Sequence, residues 1–239
     1  MRSSADRVID LNADAGEGAG EAPLYGLITS VNIACGGHAG DEGTMRESVR
    51  LAVTHGVAIG AHPSYPDREG FGRVSRSFAV GALSRAVAAQ VAALVAVAEA
   101  AGARVTHVKP HGALYADAAQ TRGVALAVAE GVASVSNALV LVGLAGSPAL
   151  RTWRELGFDV AAEGFADRAY AADGTLVPRS SAGALITDRA AAAAQAIRLA
   201  GEGDCATICV HADTPGAAAI AAAVRRGLEE AGFALSSLA

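Results

Sequence analysis

Arg104-Val-Thr-His-Val-Lys-Pro-His-Gly-Ala-Leu-Tyr115 is the stretch on which the fold turns. Its β-branched run from Arg104 to Lys109 reads as a strand. With the chain extended through Pro110, Lys109 and His111 project to the same side, two residues apart. Gly112 permits a sharp exit, and an alanine-rich helical pattern resumes soon afterwards. A lysine and a histidine at the carboxyl end of a buried strand are unfavourable there unless they are paired or used. In α/β folds that end of the strand is where chemistry sits.

The same pattern recurs on either side. Val8–Asn12 reads as a strand ending in the acidic, glycine-rich Ala13-Asp14-Ala-Gly-Glu17-Gly. Leu27–Ala34 ends in Cys35-Gly-Gly-His38-Ala-Gly-Asp41, and a helix over Glu42–His55 stops at Gly56. Val57–Ala61 ends in His62-Pro63, followed by a loop, Ser64–Ser77, that holds Tyr65, Asp67, Phe71, Arg73 and Arg76. Beyond helix Val80–Ala101 and the opening stretch, a helix near Thr121–Ala133 precedes strand Ala138–Val142. Helix Ala149–Leu156 then leads to strand Phe158–Ala162, which ends in Glu163-Gly-Phe-Ala-Asp167-Arg168. Helix Asp188–Ala200, strand Ala206–Val210 with His211-Ala-Asp213 after it, and helix Ala217–Ala231 complete the order.

Strands alternating with helices imply parallel pairing with right-handed crossovers. Polar residues follow all of these strands but one, whose turn, Gly143–Ser147, carries little beyond glycine and serine. An open sheet concentrates its site at one switch point, whereas a barrel collects it from the whole rim. The expectation is an irregular (β/α) barrel of about seven parallel strands, with residues 1–239 forming one domain.

Composition excludes other classes. A net charge of −5 gives no basic face for nucleic acid and no polybasic stretch for anionic lipid. Cys35, Cys205 and Cys209 lack the spacing of a disulfide framework or zinc knuckle and read as small buried hydrophobes. Met1–Asp6 runs into the first strand without an apolar signal region, and Ala86–Ala98 is too short to span a membrane. A soluble cytoplasmic protein is expected.

Four of the six histidines, His38, His62, His111 and His211, fall just past strands and read as one rim site. His55 ends a helix, and His107 reads as a core histidine with a satisfied hydrogen bond. Asp14, His38 and His62 offer one carboxylate and two imidazoles, a set suited to zinc or iron with open positions. A competing reading has Asp14 orienting a histidine that acts as general base; the residues leave both open. Arg168 can grip a carboxylate in bidentate fashion or pair internally with Asp167 or Glu163. Gly16–Gly20 has the wrong spacing for a dinucleotide loop, and Glu17 would repel a pyrophosphate. No P-loop or GxSxG elbow is present.

Several stretches resemble the LamB/YcsF family, the family of the 5-oxoprolinase A subunit. They are Asp10–Gly18, Asn32–Asp41, Gly60–Asp67, Gly70–Arg73, Val108–Tyr115, Glu163–Tyr170, Gly174–Ser180 and Cys209–Gly216. Ala13 stands where that family commonly has cysteine, the segment after Gly20 is short, and Ala212 replaces a frequent glycine. The resemblance implies a barrel of the glycoside hydrolase/deacetylase type. It implies ATP-dependent opening of 5-oxo-L-proline to L-glutamate, with ATP as cosubstrate and separate B and C subunits as partners. A bound metal stays open.

On that footing Lys109 and His111 are expected to neutralise charge on the lactam or phosphate oxygen. Asp14 and His62 would position or deprotonate water, and Arg168 would hold the substrate carboxylate, with Glu17, His38, Glu163, His211 and Asp213 completing the binding surface. Two alternatives remain: a metal-dependent amide or N-acetyl hydrolase using Asp14, His38 and His62, and a non-catalytic lactam-binding regulatory subunit.

Overall fold

The computed structural model describes residues 7–238. The expected lead-in Met1–Asp6 lies outside the described residues. Seven parallel strands close on themselves: β1 (Val8–Ala15), β2 (Ser30–Ala34), β3 (Ala58–His62), β4 (Val105–Val108), β5 (Val140–Leu144), β6 (Val160–Phe165) and β7 (Thr207–Cys209). Closure is visible in β1, which pairs with β2 through Asp14↔Asn32 and with β7 through Asp10↔Thr207. An eighth strand, β8 (Ala234–Leu235), is not evident in the sequence. It pairs with the first residues of β1.

The helices α1 (Glu42–His55), α2 (Val80–Ala100), α3 (Gly112–Gln120), α4 (Arg122–Ala133), α5 (Pro148–Glu155), α6 (Arg189–Glu202) and α7 (Ala217–Glu230) occupy the connections between strands. The start of α1 is fixed by Asp41, whose side chain accepts from the Thr44 amide, and its end by Gly56 at φ 67°. The segment after β4 forms α3 immediately after His111, separated from α4 by Thr121. Contrary to the expectation from Ala86–Ala98, α2 is long and apolar enough to cross a membrane by length and composition. Here it coats the barrel, burying Leu83, Val87, Val91 and Leu94.

Along β1, Ile9, Leu11 and Ala13 join the hydrophobic core under the helices. Asp10, Asn12 and Asp14 point the other way, into the barrel. There Asp10 accepts from Ser30 and Thr207, and Asn12 donates to Glu163 and Thr207. Burial pushes the Asp10 carboxyl up, against hydrogen bonds from Ser30, Thr207 and Thr29. His107, a core histidine as expected, meets Asn32 Oδ1 at 3.1 Å and Thr106 Oγ1 at 3.0 Å. Burial, then Lys109 and His62, lower it to about 3, so it stays neutral. Gly60 makes room for its ring: a Cβ there would fall 2.1 Å from His107 Nε2. These internal partners explain why β1, β3 and β6 run further than their apolar residues suggest. Asp14, His62 and Glu163 therefore lie on strands, because their polarity is satisfied across the barrel.

Candidate functional site

The rim site is built around Lys109, one residue beyond β4 and 2% exposed. Its Nζ lies 2.8 Å from Glu163 Oε1 and 3.0 Å from Asp14 Oδ1, with Cys209 Sγ at 3.1 Å. Burial opposes the charge on Lys109, but Asp14, Cys209 and Glu163 overrule it and hold the amine well above its usual range. For Asp14, burial is likewise overruled, by His62 and Lys109, and the carboxyl lies well below the usual range. Asn32 Nδ2 donates to the same carboxylate at 3.0 Å. The result is a buried cation between two carboxylates.

Beside it stands a cluster of three imidazoles and Glu17. His62 Nδ1 contacts the Lys109 carbonyl at 2.7 Å, and His111 Nε2 contacts the Phe71 carbonyl at 3.0 Å. The remaining nitrogens of these rings, His62 Nε2 and His111 Nδ1, face each other at 3.0 Å. Glu17 Oε1 reaches His38 Nε2 at 2.8 Å and His111 Nδ1 at 3.1 Å. Burial, opposed by Glu17, lowers His38 to about 4 and also lowers His111. His62 moves up: burial is outweighed by Asp14, whose Oδ2 lies 3.5 Å from its Nε2. Among the described residues Phe71 alone combines a side chain with positive φ, 51°, a strained conformation. Gly72 follows at φ 62°, and a Cβ there would press to 3.0 Å on both His38 and His111.

Beside Asp14 and Cys209, whose ligand atoms lie within 4.8 Å of those of its ring, His211 is held by Asp167: His211 Nδ1 meets Asp167 Oδ1 at 2.9 Å, while Asp167 Oδ2 accepts from Thr214 Oγ1 at 2.6 Å. Burial of Asp167 is outweighed by His211 and Thr214, which hold its carboxyl low. The His211 ring stacks on Phe165 at 5.3 Å, and among the described residues nothing takes its Nε2. At the mouth, Asp213 joins Arg73 and Arg179, which come from different loops. Of these groups, Asp14, Glu17, His62, Lys109, His111, His211, Arg73 and Arg179 line a cavity of about 750 Å³. Another cleft, about 790 Å³, lies against α5 and α6 and contains none of the expected site residues.

Sequence reasoning places most of this rim. The structure changes its partnerships. The metal set expected from Asp14, His38 and His62 does not assemble: Glu17 and His111 gather with His38 and His62, all four ligand atoms within 4.8 Å of one another. Asp14 stands outside that group, turned to Lys109. Arg168 forms no ion pair with Asp167 or Glu163. It donates to the carbonyls of Val177 (2.8 Å) and Ala184 (3.4 Å), fixing the loop that follows β6. The sequence suggests Asp167 only as a partner for Arg168; its pairing with His211, 44 positions away, leaves no local signal.

A parallel barrel whose strand ends carry titratable groups around one cavity has the architecture of the (β/α) barrels whose sites lie at the rim. A family 4 carbohydrate esterase from Streptomyces lividans shares this fold at TM-score 0.51 and 13% identity, covering 98% of this chain and 94% of that one. The LamB/YcsF family profile matches residues 9–239, and the chain belongs to that family. It is similar to the 5-oxoprolinase A subunit of Chloroflexus aggregans, 49% identical over 94% of this chain and 96% of that protein. It is also similar to the lactam utilization protein from Thermus thermophilus. There the TM-score is 0.90 at 40% identity, covering 97% of this chain and all of the other.

Proposed function

We propose that this chain is the ring-opening subunit of an ATP-dependent 5-oxoprolinase, hydrolysing the lactam of 5-oxo-L-proline to L-glutamate. The observation that carries the reading is the Lys109 cation held between Asp14 and Glu163 on the cavity wall, with the Asp167–His211 pair beside Asp14. Opening an amide ring needs positive charge at the carbonyl oxygen, a base for water and an acid for the departing nitrogen. Lys109 supplies the charge by exchanging its weakest partner, the Cys209 thiol, for the lactam oxygen. Asp14 takes the proton from water, and His62, whose Nε2 lies 3.5 Å from Asp14 Oδ2, positions it. His211, oriented by Asp167, delivers a proton to the ring nitrogen.

A five-membered lactam re-closes readily because its amine and carboxyl are held together, so opening needs coupling. Phosphorylation of the lactam oxygen supplies it. The chain's sequence offers no glycine-rich phosphate loop, so we assign nucleotide chemistry to partner subunits, B and C. Its relatives carry the name of one subunit of an oxoprolinase, which supports a multi-subunit enzyme, and we place the assembly in the cytoplasm, where ATP is supplied. Within this chain, Arg168 and the mouth arginines Arg73 and Arg179 are assigned to the substrate carboxylate.

The test is 5-oxoproline-dependent release of glutamate and phosphate by this chain alone and then with its partner subunits. Ring opening is expected only in the complete mixture, and Asp14→Asn is expected to lose most of it while remaining folded. Near-normal turnover by Asp14→Asn and Lys109→Met would sink the assignment.

A further inference from the structure

The cluster beside Lys109 presents acceptors to one another. A carbonyl oxygen only accepts, so the contacts of His62 Nδ1 with Lys109 O (2.7 Å) and of His111 Nε2 with Phe71 O (3.0 Å) place the ring protons on those nitrogens. In the neutral rings His62 Nε2 and His111 Nδ1 then carry lone pairs, 3.0 Å apart. Glu17 Oε1, a third acceptor, lies 3.1 Å from His111 Nδ1 and 3.6 Å from His62 Nε2. These three acceptors, with Asp14 Oδ2 a further one 3.5 Å from His62 Nε2, converge in a buried place and require a cation or an added proton between them.

The spacing is that of a coordination shell. Nitrogen and oxygen ligands 2.0–2.1 Å from a tetrahedral zinc-class ion stand roughly 3.3 Å apart, and the three separations here run from 3.0 to 3.6 Å. His38 does not join them as a ligand. Its ring is stacked on His111 with centroids 3.6 Å apart and planes at 1°. Parallel rings at that separation cannot both hold one ion in their planes. His38 Nε2 instead serves Glu17 Oε1 from outside, at 2.8 Å, as outer partners of ligating carboxylates do. Backbone carbonyls fixing ligand imidazoles are the other half of that arrangement. The strain at Phe71 has its use here, since its φ of 51° aims the carbonyl that sets the His111 tautomer.

We infer that Glu17, His62 and His111 form a binding site for one divalent transition-metal ion, with a further coordination position open to the cavity and His38 and Phe71 O as its outer shell. Two imidazoles and a carboxylate with an open position suit zinc, iron or cobalt. Such an ion supplies Lewis-acid polarisation of an oxygen bound beside Lys109. The inference stands on donor geometry and not on the ring-opening reading, and its test involves no turnover, so the two fail separately.

The full chain, stripped with chelator, is titrated with zinc by calorimetry and with cobalt(II) by visible absorption. One equivalent is expected, with the d–d bands of a four- or five-coordinate cobalt site. Glu17→Gln, His62→Asn and His111→Asn are each expected to abolish stoichiometric uptake, and His38→Asn to weaken it about 10- to 100-fold. Circular dichroism confirms that each variant is folded. If a variant fails to fold, cobalt-induced paramagnetic shifts of the His62 and His111 ring resonances in the unaltered chain decide the ligand set. Absence of one-equivalent uptake would overturn the inference, leaving a trapped proton between the imidazoles. Uptake insensitive to His62 and His111, or ring resonances that do not shift, would overturn it equally.

Discussion

The imidazoles gathered around Glu17 and the imidazole of His211 are held in different ways. His38, His62 and His111 lean on one another, on Glu17 and on backbone carbonyls, so that both nitrogens of His62 and His111 are engaged. His211 leans on one carboxylate, Asp167, and keeps its second nitrogen for the cavity. An imidazole with both nitrogens committed is fixed in orientation and suited to holding something. One with a single oriented nitrogen is suited to passing a proton. Lys109 separates the two groups, giving its carbonyl to His62 and its ammonium to Asp14 and Glu163.

That division breaks most completely at Lys109. Lys109→Met leaves Asp14 and Glu163 buried without a counter-cation, and removing one partner of such a group costs about 3–5 kcal/mol. Urea unfolding of the variant measures that loss, and glutamate release by the reconstituted enzyme is expected to fall to background. The contrast itself is sharpened by comparing His211→Asn with Asp167→Asn. Both are expected to lower kcat about 10²–10⁴-fold, with KM changed only a few-fold. A loss confined to KM would move His211 from proton transfer to binding.

Beneath the rim, Gly60→Ala tests how tightly the interior is fitted. The new methyl would lie 2.1 Å from His107 Nε2, and overpacking of this kind costs about 1–3 kcal/mol, readable as a lowered Tm. The smallest effect concerns pH. Asp167 has its carboxyl held below the ordinary value of 3.8 by His211 and Thr214 against burial. Its contribution to stability is therefore complete above pH 3.8 and is lost as pH falls through the lower folded value. The stability of Asp167→Asn is expected to fall less steeply than that of the unaltered chain in that acid window, measured by urea midpoints across pH.

Much of the fold is legible because strand-end polarity repeats around the chain. Val105–Val108 announces β4 through its β-branched residues, and Gly56 announces the end of α1. Two-residue β8 carries no pattern of its own; pairing with Val8 and Ile9 makes it a strand. The ends of β1 and β6 extend past the sequence expectation for a related reason. A polar residue looks like a loop until its partner across the barrel is known, and Asn12 finds Glu163 across 151 positions. The rim positions are legible too, since His38, His62, Lys109, His111 and His211 all follow or end strands. Asp167 sits beside Arg168 in sequence, yet it points to His211 while Arg168 turns to loop carbonyls.

The sequence by itself determined the alternation of strand and helix, the motifs that carry the LamB/YcsF membership, and the set of titratable groups at one end of the barrel. Only the tertiary structure decided which groups answer one another: Lys109 with Asp14 across 95 positions, Glu17 with three histidines, and His211 with Asp167. The physical reason is closure. A barrel brings every strand end to one rim, and the facing pairs there depend on register and tilt, which no local stretch of sequence encodes.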